Sequence, residues 1–568
     1  MLSRAARTVV NVNISLIAAL PLGILFIGCG VVIHTYWSQW LVHRRAAAAG
    51  AVLPPTTPHK LPFGYDIVQK MKVSSNNSYI ASLIADFCHH FNGYTFNFRL
   101  MGTNRIFTAE PEHIKMILAT DFSGYEKGSE FHFQMESLLG TGVFNSDGEM
   151  WKFHRAMTRP FFSKDRISHF DIFDRHADDA LTQAKTRIGQ GLPVDWQDLV
   201  SRFTLDSATE FLFGKDVRSL SAGLPYPPNT PEAQHDNSAS NPANQFSSAF
   251  LEAQLACANR GRLAGQWPLF EFFQDKVDKH TKVIDAFIDP ILNAALDKKK
   301  SKSSTNSSKD KNEAVGEDET LLEHLVNLTD DPVILKDETL NILLAGRDTT
   351  AATLTFAVYR LTQHPDIVRR LREEILSKVG SSRRPTYDDI RDMKYLRAFI
   401  NEVLRLYPPV PFNVRTSTRA TTWPSQPGNI PWYIPQDTRC VYSVFVMHRR
   451  KDLWGPDALQ FDPDRFLDER LHKYITPNPF IFLPFNAGPR ICLGQQFAYN
   501  EASFMIIRLL QRFASFTLCT EANPESIPVA GWAESRISDG SDKLWFKAHL
   551  TMYAKGGMWL KMTEAQDA

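Results

Sequence analysis

The sequence predicts a mainly α-helical domain with small β-sheets, of the α+β class, preceded by an N-terminal transmembrane helix. Three observations predict this fold class. Amphipathic helical patterns recur along the chain, as in residues 367–377 and 395–407. Strand patterns are short and few. An uncharged apolar run lies close to the amino terminus.

The amino-terminal apolar run predicts a membrane anchor over residues 1–45. Residues 8–43 contain no Asp, Glu, Lys or Arg, and residues 14–33 are almost continuously apolar. A run of roughly 20 apolar residues is long enough to cross the hydrocarbon core as a helix. Tyr36, Trp37 and Trp40 follow it, as expected at a membrane interface. A cleaved signal peptide is the alternative, but its apolar region is shorter, at about 7 to 15 residues.

The segment after the anchor predicts a hinge, and the remainder predicts one large folded domain over residues 63–568. Residues 46–62 contain Pro54, Pro55, Pro58 and Pro62, whose fixed φ angles favour an extended connector. Residues 219–244 and 297–319 are too polar to offset their ordering entropy, so they are predicted to be surface loops.

Strand patterns cluster at residues 94–98, 105–108, 439–446 and 550–560. In the last of these, Lys555, Gly556 and Gly557 are expected to form the turn of a β-hairpin. The sheets built from such short strands are predicted to be small and peripheral.

Composition and cysteine spacing argue against several classes of protein. Lys plus Arg number 63 and Asp plus Glu number 62, so the overall charge gives no indication of a nucleic-acid partner. The six cysteines lack paired short spacings, which argues against a disulfide scaffold and against a CxxC zinc site.

The strongest functional signal is the segment from Phe485 to Gly494, which fits the pattern F-x-x-G-x-R-x-C-x-G. Gly488 permits a backbone turn that a side chain would forbid, and Gly494 permits close approach of the chain to a flat cofactor. A helical pattern follows Cys492, and the N-terminus of a helix favours a negative sulfur. A thiolate in such a loop is suited to haem iron. The alternative is a buried structural cysteine, which leaves the surrounding pattern unexplained.

This segment resembles the haem-binding signature of the cytochrome P450 family, and further motifs of that family agree in the same order. Residues 345–350 match the I-helix motif A-G-x-D/E-T-T/S, inside a predicted helix over 336–363. Glu402 and Arg405 match the K-helix motif E-x-x-R, and Trp151 and Arg155 match W-x-x-x-R. Residues 461–466 match F-x-P-E-R-F, with Asp464 in place of Glu. The resemblance is greatest to fungal microsomal members related to alkane and fatty-acid hydroxylases.

The resemblance implies that residues 63–568 form a haem-thiolate catalytic domain with haem b as its cofactor. Cys492 is implied as the metal ligand. The other implied cofactor-binding residues are Phe485, Gly488, Arg490, Gly494, Trp151, Arg155 and Arg415. The basic residues of this set and Trp151 are expected to donate hydrogen bonds to the haem propionates.

The resemblance also separates catalytic residues from structural ones. Thr349 is implied to hydrogen-bond iron-bound dioxygen or its waters, and Asp348 to relay protons as a general acid. Glu402, Arg405 and Arg465 are implied to form a buried structural charge cluster that is necessary for haem incorporation.

These residues predict a monooxygenase that inserts one atom of O2 into a lipophilic substrate, with fatty acid, alkane, terpenoid or another secondary metabolite as alternatives. The sequence contains no GxGxxG in a βαβ context, so electrons are expected from a partner. The resemblance implies an NADPH–cytochrome P450 reductase, with cytochrome b5 as a further candidate. It also implies the endoplasmic reticulum membrane, with the catalytic domain in the cytosol.

Two other functions are weighed against this prediction. One is a haem-thiolate isomerase or dehydratase, and the other is a membrane-tethered haem sensor. Asp348 and Thr349 favour the monooxygenase, because the rival reactions have no use for a proton relay that activates oxygen.

Overall fold

The computed structural model describes residues 16–167, 170–235, 240–303, 319–425 and 428–566. Helices account for most of these residues, and the strands form small sheets. The predicted α+β class is therefore confirmed for the described part of the chain.

The α-helices are numbered in chain order. They are α1 (Leu16–Ala48), α2 (Tyr65–Asn77), α3 (Ser82–His90), α4 (Pro111–Lys115), α5 (Ser129–Leu139), α6 (Gly148–Thr158), α7 (Lys164–Ile167), α8 (Asp171–Gly189), α9 (Trp196–Phe213), α10 (Pro231–Gln234), α11 (Pro242–Leu263), α12 (Asp278–Ser303), α13 (Leu321–Leu328), α14 (Pro332–Leu361), α15 (Pro365–Lys378), α16 (Tyr387–Asp392), α17 (Lys394–Leu406), α18 (Val444–Met447), α19 (Lys451–Trp454) and α20 (Gln495–Arg512).

The β-strands are numbered in the same way. They are β1 (Thr95–Leu100), β2 (Thr103–Thr108), β3 (Tyr125–Glu126), β4 (Val194–Asp195), β5 (Asn413–Ser417), β6 (Thr421–Trp423), β7 (Trp432–Ile434), β8 (Arg439–Tyr442), β9 (Phe513–Leu518), β10 (Phe546–Ala548), β11 (Met552–Ala554) and β12 (Trp559–Glu564).

Helix α14 runs through the centre of the domain and is buried along most of its length. Asp331 caps its N-terminus by accepting hydrogen bonds from the N–H groups of Val333 and Ile334. Helices α9, α17 and α20 pack against it. Its second half is buried on all sides, as expected for a helix enclosed by neighbours. The helix predicted over residues 336–363 is thus confirmed, with its start four residues earlier at Pro332.

The largest sheet has five strands in the order β1-β2-β8-β5-β3, with β2 and β8 parallel and the other pairs antiparallel. The strands predicted at 94–98 and 105–108 correspond to β1 and β2. The strand predicted over 439–446 is wrong in its second half. It ends at Tyr442 because the Ser443 hydroxyl accepts a hydrogen bond from the Val446 N–H and so starts α18.

The hairpin predicted around Lys555, Gly556 and Gly557 is wrong, although these residues do form a turn. The strands on either side belong to different sheets, since β11 pairs with β10, whereas β12 pairs with β9 and β4. Gly557 has a φ of +84°, and a Cβ atom there would lie 2.2 Å from an Asp195 carboxylate oxygen. The turn therefore packs against Asp195, at the end of β4, and directs the chain into a second sheet.

Helix α1 extends past residue 45, the predicted end of the anchor, to Ala48. Large apolar side chains on it are exposed, among them Leu25, Phe26, Ile33 and Trp37. Within the described residues, no helix combines the length and the apolar character needed to cross a membrane. Residues 1–15, which contain the start of the predicted apolar run, lie outside the described residues.

Residues 46–62, the predicted hinge, are held to the domain at two points. Val52 forms a bridge with Trp432, and Thr56 forms one with Asn97. Ala51 is buried near Tyr433 in the same region. The connector is therefore docked on the β-sheet side of the domain.

The two predicted surface loops contain helices. Helix α12 continues to Ser303, so the loop prediction is wrong for residues 297–303, where several Lys residues are good helix formers. Residues 304–318 lie outside the described residues. The segment 219–244 includes α10 and the start of α11, and its residues 236–239 also lie outside the described residues.

Candidate active site

A cavity of about 700 Å³ lies between α14, the start of α20 and the β-sheet side of the domain. Its lining is largely apolar and aromatic, which is typical of a site for a small molecule. The lining also includes Cys492, Thr349 and a set of basic side chains. The cavity therefore brings together most of the residues that the sequence predicted as functional.

The loop that carries Cys492 is shaped by Gly488. Gly488 has a φ of +67°, and a Cβ atom there would lie 1.8 Å from the Leu118 carbonyl oxygen. Within the loop, the Cys492 N–H donates to the Phe485 carbonyl at 3.0 Å. Both the predicted turn at Gly488 and the predicted helix after Cys492 are present, and that helix, α20, begins at Gln495.

Gly494 behaves differently from Gly488. Its φ of −81° is accessible to any residue. A Cβ atom there would lie 3.5 Å from the nearest side-chain atom, in Phe162, which is an ordinary contact. The protein itself therefore leaves room for a side chain at Gly494, and the predicted reason for glycine, close approach to a cofactor, remains a prediction.

The Cys492 side chain is accessible, but to the cavity that it lines. Burial among protein atoms raises the pKa of the thiol, while the Gly494 N–H and the Arg155 guanidinium partly oppose this shift. Without a further positive charge the sulfur is thus protonated. A bound metal ion deprotonates a coordinating thiol, so the raised pKa does not prevent this sulfur from serving as a metal ligand.

Arg490 and Trp151 lie side by side in the cavity wall. The Arg490 guanidinium lies 4.5 Å from the centre of the Trp151 ring. Arg490 Nη2 donates to Asp147 Oδ1 at 2.6 Å and to the Ser146 carbonyl at 3.0 Å. Burial lowers the pKa of Arg490 to about 10, and the neighbouring charge of Arg415 adds to the shift. Asp147 therefore compensates only part of the positive charge here.

Arg155 and Arg415 line the same part of the cavity and donate to neutral carbonyl groups. Arg155 Nη2 donates to the Ile491 carbonyl at 2.9 Å, which ties α6 to the cysteine loop. Arg415 Nη1 donates to the Val414 carbonyl at 2.7 Å. The sequence-predicted residues Trp151, Arg155, Arg415 and Arg490 are thus all on the lining.

Lys127 is a fourth basic residue at this wall, and sequence reasoning missed it. Burial lowers the pKa of its ammonium group well below the usual range, and the charges of Arg415 and Arg490 lower it further. No motif surrounds Lys127, which directly follows β3, so only the fold brings it to the cavity. Among the described residues, Asp147 forms an ion pair with one of these cations, Arg490, and Glu126 interacts with Arg490 at longer range. A dianionic group would relieve the remaining repulsion.

The structure separates the two predicted catalytic residues. Thr349 lines the cavity, and its hydroxyl donates to the Ala345 carbonyl at 2.7 Å. Asp348 is not among the lining residues. Its Oδ2 accepts a hydrogen bond from Gln254 at 2.7 Å, and its Oδ1 lies 3.4 Å from Arg347 Nη1. The Asp348 carboxylate thus lies on the side of α14 that faces α11.

Glu501 is a second residue that sequence reasoning missed. It lies on α20, 1% exposed, beside Thr350 of the cavity lining. Burial raises the pKa of its carboxyl to about 8, and the neighbouring Thr350 partly opposes the shift. Neither carboxyl oxygen has a hydrogen-bond partner among the described residues. Glu501 falls three residues after Ala498, on the apolar face of α20. The sequence could have indicated this residue, because Glu501 is a single acidic residue on an otherwise apolar helix face.

Glu402, Arg405 and Arg465 form the predicted cluster behind the cavity. Arg405 donates to both carboxylate oxygens of Glu402, at 2.7 Å each, and the side chains of all three residues are almost completely buried. Arg465 lies 3.6 Å from Glu402 and pairs with Asp457 at 2.9 Å. Asp464, which replaces the usual Glu of its motif, is outside this cluster and pairs with Arg370 on the surface.

A sequence profile described as Cytochrome P450 matches residues 55–533 of the chain. The chain belongs to the cytochrome P450 family. As a member it is a monooxygenase, an oxidoreductase whose haem iron is bound through a cysteine thiolate. This agrees with the resemblance found in the sequence motifs.

Several relatives are fungal cytochromes P450, as expected from the sequence motifs. The monooxygenase pvhE of Talaromyces variabilis is 38% identical over 440 residues, which cover 74% of this chain and 76% of that protein. Cytochrome P450 52A3-A of Candida maltosa is 38% identical over 432 residues, covering 74% and 77%. The monooxygenase g430 of a Fusarium species is 33% identical over 504 residues, covering 86% and 85%.

The residues of the cavity fit haem b. Cys492 offers a sulfur ligand, and Lys127, Arg155, Arg415 and Arg490 offer an excess of positive charge for two propionate carboxylates. The loop from Phe485 to Gly494 lies along the cavity without a protein side chain filling the space at Gly494. The cofactor implied by the family therefore has both its ligand and its counter-charges in this one cavity.

We predict that Gly488→Ala destabilises the fold by at least about 3 kcal/mol, because Ala is strained at positive φ and its Cβ would overlap the Leu118 carbonyl. Thermal or denaturant unfolding of the purified protein measures this. Gly494→Ala is the matched control and should leave the free energy of unfolding of the haem-free protein within about 1 kcal/mol of wild type. Equal stability of the two variants would contradict the role of Gly488.

Proposed function

We propose that this cytochrome P450 inserts one atom of O2 into a C–H bond of a lipophilic substrate bound in the cavity that Cys492 lines. The observation that supports this most is that the Cys492 sulfur and the Thr349 hydroxyl line one cavity. Oxygen activation requires an electron-rich metal ligand and a hydrogen-bonding group that handles protons. A haem isomerase or a haem sensor has no use for the second group.

Haem, when bound, supplies the iron that activates oxygen. Cys492 would hold the iron through its thiolate, since coordination would offset the burial that otherwise keeps the thiol protonated. Arg155, Arg415 and Arg490 would hold the propionates through charge-assisted hydrogen bonds, with Lys127 as a further cation. Trp151 packs against the Arg490 guanidinium. Phe485 and Gly494 line the cavity, and Gly488 shapes the loop that carries Cys492.

We propose that Thr349 and Glu501 take part in proton delivery to the active site. The Thr349 hydroxyl donates to the Ala345 carbonyl and can still accept a hydrogen bond from water or ligand in the cavity. Glu501 is kept protonated at neutral pH by burial and contacts Thr350 beside Thr349. Asp348 lies outside the lining, so it contributes to proton supply only through a further group such as Gln254.

The apolar lining supports a lipophilic substrate. Phe131, Met135, Leu212, Phe412 and Val414 are among the residues that line the cavity. Burial of apolar substrate surface against such side chains is the main source of affinity in sites of this kind. A fatty acid, an alkane, a terpenoid or another secondary metabolite satisfies this requirement.

We further propose that an NADPH–cytochrome P450 reductase supplies the electrons at the cytosolic face of the endoplasmic reticulum, with cytochrome b5 as an additional candidate donor. Family members in general use reductase partners. Residues 1–45 are proposed as the membrane anchor, 46–62 as the hinge and 63–568 as the catalytic domain. The exposed apolar side chains of α1, such as Phe26 and Ile33, support the anchor because they have no other protein surface to cover them among the described residues.

We predict that Cys492→Ala abolishes the thiolate-type carbonyl difference spectrum of the reduced protein, because the metal loses its sulfur ligand. The spectrum is recorded on the purified full-length chain. Cys519→Ala is the matched control: Cys519 is buried at the end of β9 and does not line the cavity, so its removal should keep the spectrum. A normal spectrum in Cys492→Ala would refute the proposed ligand.

We predict that Thr349→Ala keeps the carbonyl spectrum but lowers product formed per NADPH consumed by at least about tenfold. Reconstitution with reductase and lipophilic probes, with peroxide release measured in parallel, reports this coupling. Thr355→Ala is the control on the same helix, because the Thr355 hydroxyl donates to the Ala351 carbonyl and does not line the cavity. If both variants couple as well as wild type, Thr349 has no part in oxygen activation.

We predict that deletion of residues 1–45 moves the chain from the membrane fraction to the soluble fraction while the carbonyl spectrum is kept. Apolar burial in lipid is then lost, whereas the cavity residues are unchanged. Fractionation of expressing cells followed by spectroscopy measures both properties. Retention of the truncated chain on membranes would show that another surface attaches it.

A further inference from the structure

The cavity lining carries many basic side chains and no acidic ones. Its Lys and Arg residues are Arg105, Lys127, Arg155, Arg262, Arg415, Arg439, Arg490 and Lys547. None of the described lining residues is Asp or Glu. A lipophilic substrate without charge gives no reason for such an excess, because each buried cation loses hydration.

Six of the eight cations form one electrostatic group near the cysteine loop. Glu130 pairs with Arg105 at 2.7 Å and with Arg439 at 2.9 Å. The remaining four are the proposed propionate donors, which Asp147 only partly compensates. The charges of Arg415, Arg490 and Arg439 each lower the pKa of Lys127, as expected for cations that lie close together. Glu130, Asp147 and two propionates would together compensate four of the six positive charges in this group.

Arg262 and Lys547 form a second, separate group. Arg262 is at the end of α11, and Lys547 is in β10. Arg262 Nη2 donates to the Ala548 carbonyl at 2.9 Å, next to Lys547 in sequence. Lys547 Nζ donates to the Asn76 carbonyl at 3.0 Å, at the exposed end of α2. The pair thus lies at the rim of the cavity, where α2, α11 and β10 meet.

Among the described residues, no carboxylate forms an ion pair with Arg262 or Lys547. Burial lowers the pKa of Lys547, and the like charges of Lys555 and Arg262 lower it further. Burial also lowers the pKa of Arg262, opposed only by Tyr553. Their hydrogen bonds go to the carbonyls of Ala548 and Asn76 and to the amide oxygen of Asn259, which carry no charge.

His549 adds an uncharged donor at the same rim. Burial lowers its pKa to about 4, so the ring is neutral at physiological pH. Its Nδ1 accepts a hydrogen bond from the Leu550 N–H at 2.8 Å, which leaves the proton on Nε2. His549 lines the cavity together with Arg262 and Lys547.

We propose that Arg262 and Lys547, with His549, form a subsite for an anionic carboxylate on an otherwise apolar substrate. This inference rests on the proposed monooxygenase function and narrows its substrate class from any lipophile to an amphiphilic acid. A carboxylate at the rim pairs with two partly desolvated cations, while the apolar body extends into the Phe- and Leu-rich cavity. Neutral hydrocarbons leave the pair uncompensated.

The test is a spectral titration of the haem Soret band of the full-length holoprotein in phosphatidylcholine vesicles. Dodecanoate, 1-dodecanol and dodecyltrimethylammonium share one chain length and differ in head-group charge. We expect dodecanoate to bind at least about tenfold more tightly than 1-dodecanol, and the cationic probe most weakly. Equal affinities for the acid and the alcohol would overturn the proposal.

Variants assign the effect to the two residues. Arg262→Gln and Lys547→Gln should each weaken dodecanoate binding by about tenfold and leave 1-dodecanol within about twofold of wild type. Lys555→Gln is the matched control, since Lys555 is a nearby cation that does not line the cavity. Should Arg262→Gln fail to incorporate haem, Lys547→Glu at the half-exposed rim answers the question by favouring dodecyltrimethylammonium over dodecanoate. An unchanged preference in Lys547→Glu would count against the subsite.

The outcomes separate this subsite from the function on which it rests. If no probe shifts the Soret band although the carbonyl spectrum is normal, the lipophilic-substrate function fails. If 1-dodecanol binds and dodecanoate binds no more tightly, only the proposed subsite is wrong. If the variants weaken binding to phosphatidylserine vesicles but leave dodecanoate affinity unchanged, the pair contacts a lipid head group, and the proposal is likewise wrong.

Discussion

The close contact between Gly488 and the Leu118 carbonyl fixes the loop on which the active site depends. Only a residue without a side chain fits there, and the left-handed backbone at Gly488 turns the chain so that the Cys492 sulfur faces the cavity. Arg155 ties α6 to the same loop through the Ile491 carbonyl. The position of the proposed metal ligand is thus set by backbone packing, and burial raises the pKa of its thiol.

Behind the cavity, the buried cluster of Glu402, Arg405 and Arg465 serves the same arrangement. Arg405 donates to both oxygens of Glu402 and also to the Ala458 carbonyl at 2.5 Å, which links α17 to the segment that precedes the cysteine loop. A buried ion pair of this kind contributes little net stability, but removal of one partner leaves an uncompensated charge. The cluster therefore serves to hold the irregular segment around Ala458 against α17.

Sequence patterns predicted the helical class, the central helix and the cysteine loop, because each follows from local periodicity or from a dense motif. They could not predict Lys127, which reaches the cavity only through the folding of β3 beside β5. The sequence patterns also could not predict the orientation of Asp348. Asp348 and Thr349 are adjacent on α14, so their side chains point in different directions, and only Thr349 reaches the cavity lining. The failed hairpin at Gly556 has a similar cause: turn residues predict a reversal, but partner strands are chosen by tertiary packing.

The distribution of charge connects the cofactor, the substrate and the stability of the fold. The chain as a whole is almost neutral, yet its cavity is lined by cations without a single acid among the described lining residues. Desolvated cations that repel one another oppose folding, and any bound anion that pairs with them favours it. Haem propionates would relieve the repulsion among the cations around Arg490, and the proposed substrate carboxylate would relieve the repulsion between Arg262 and Lys547. Cofactor binding would therefore stabilise the folded protein. Substrate binding would add a separate electrostatic stabilisation at Arg262 and Lys547.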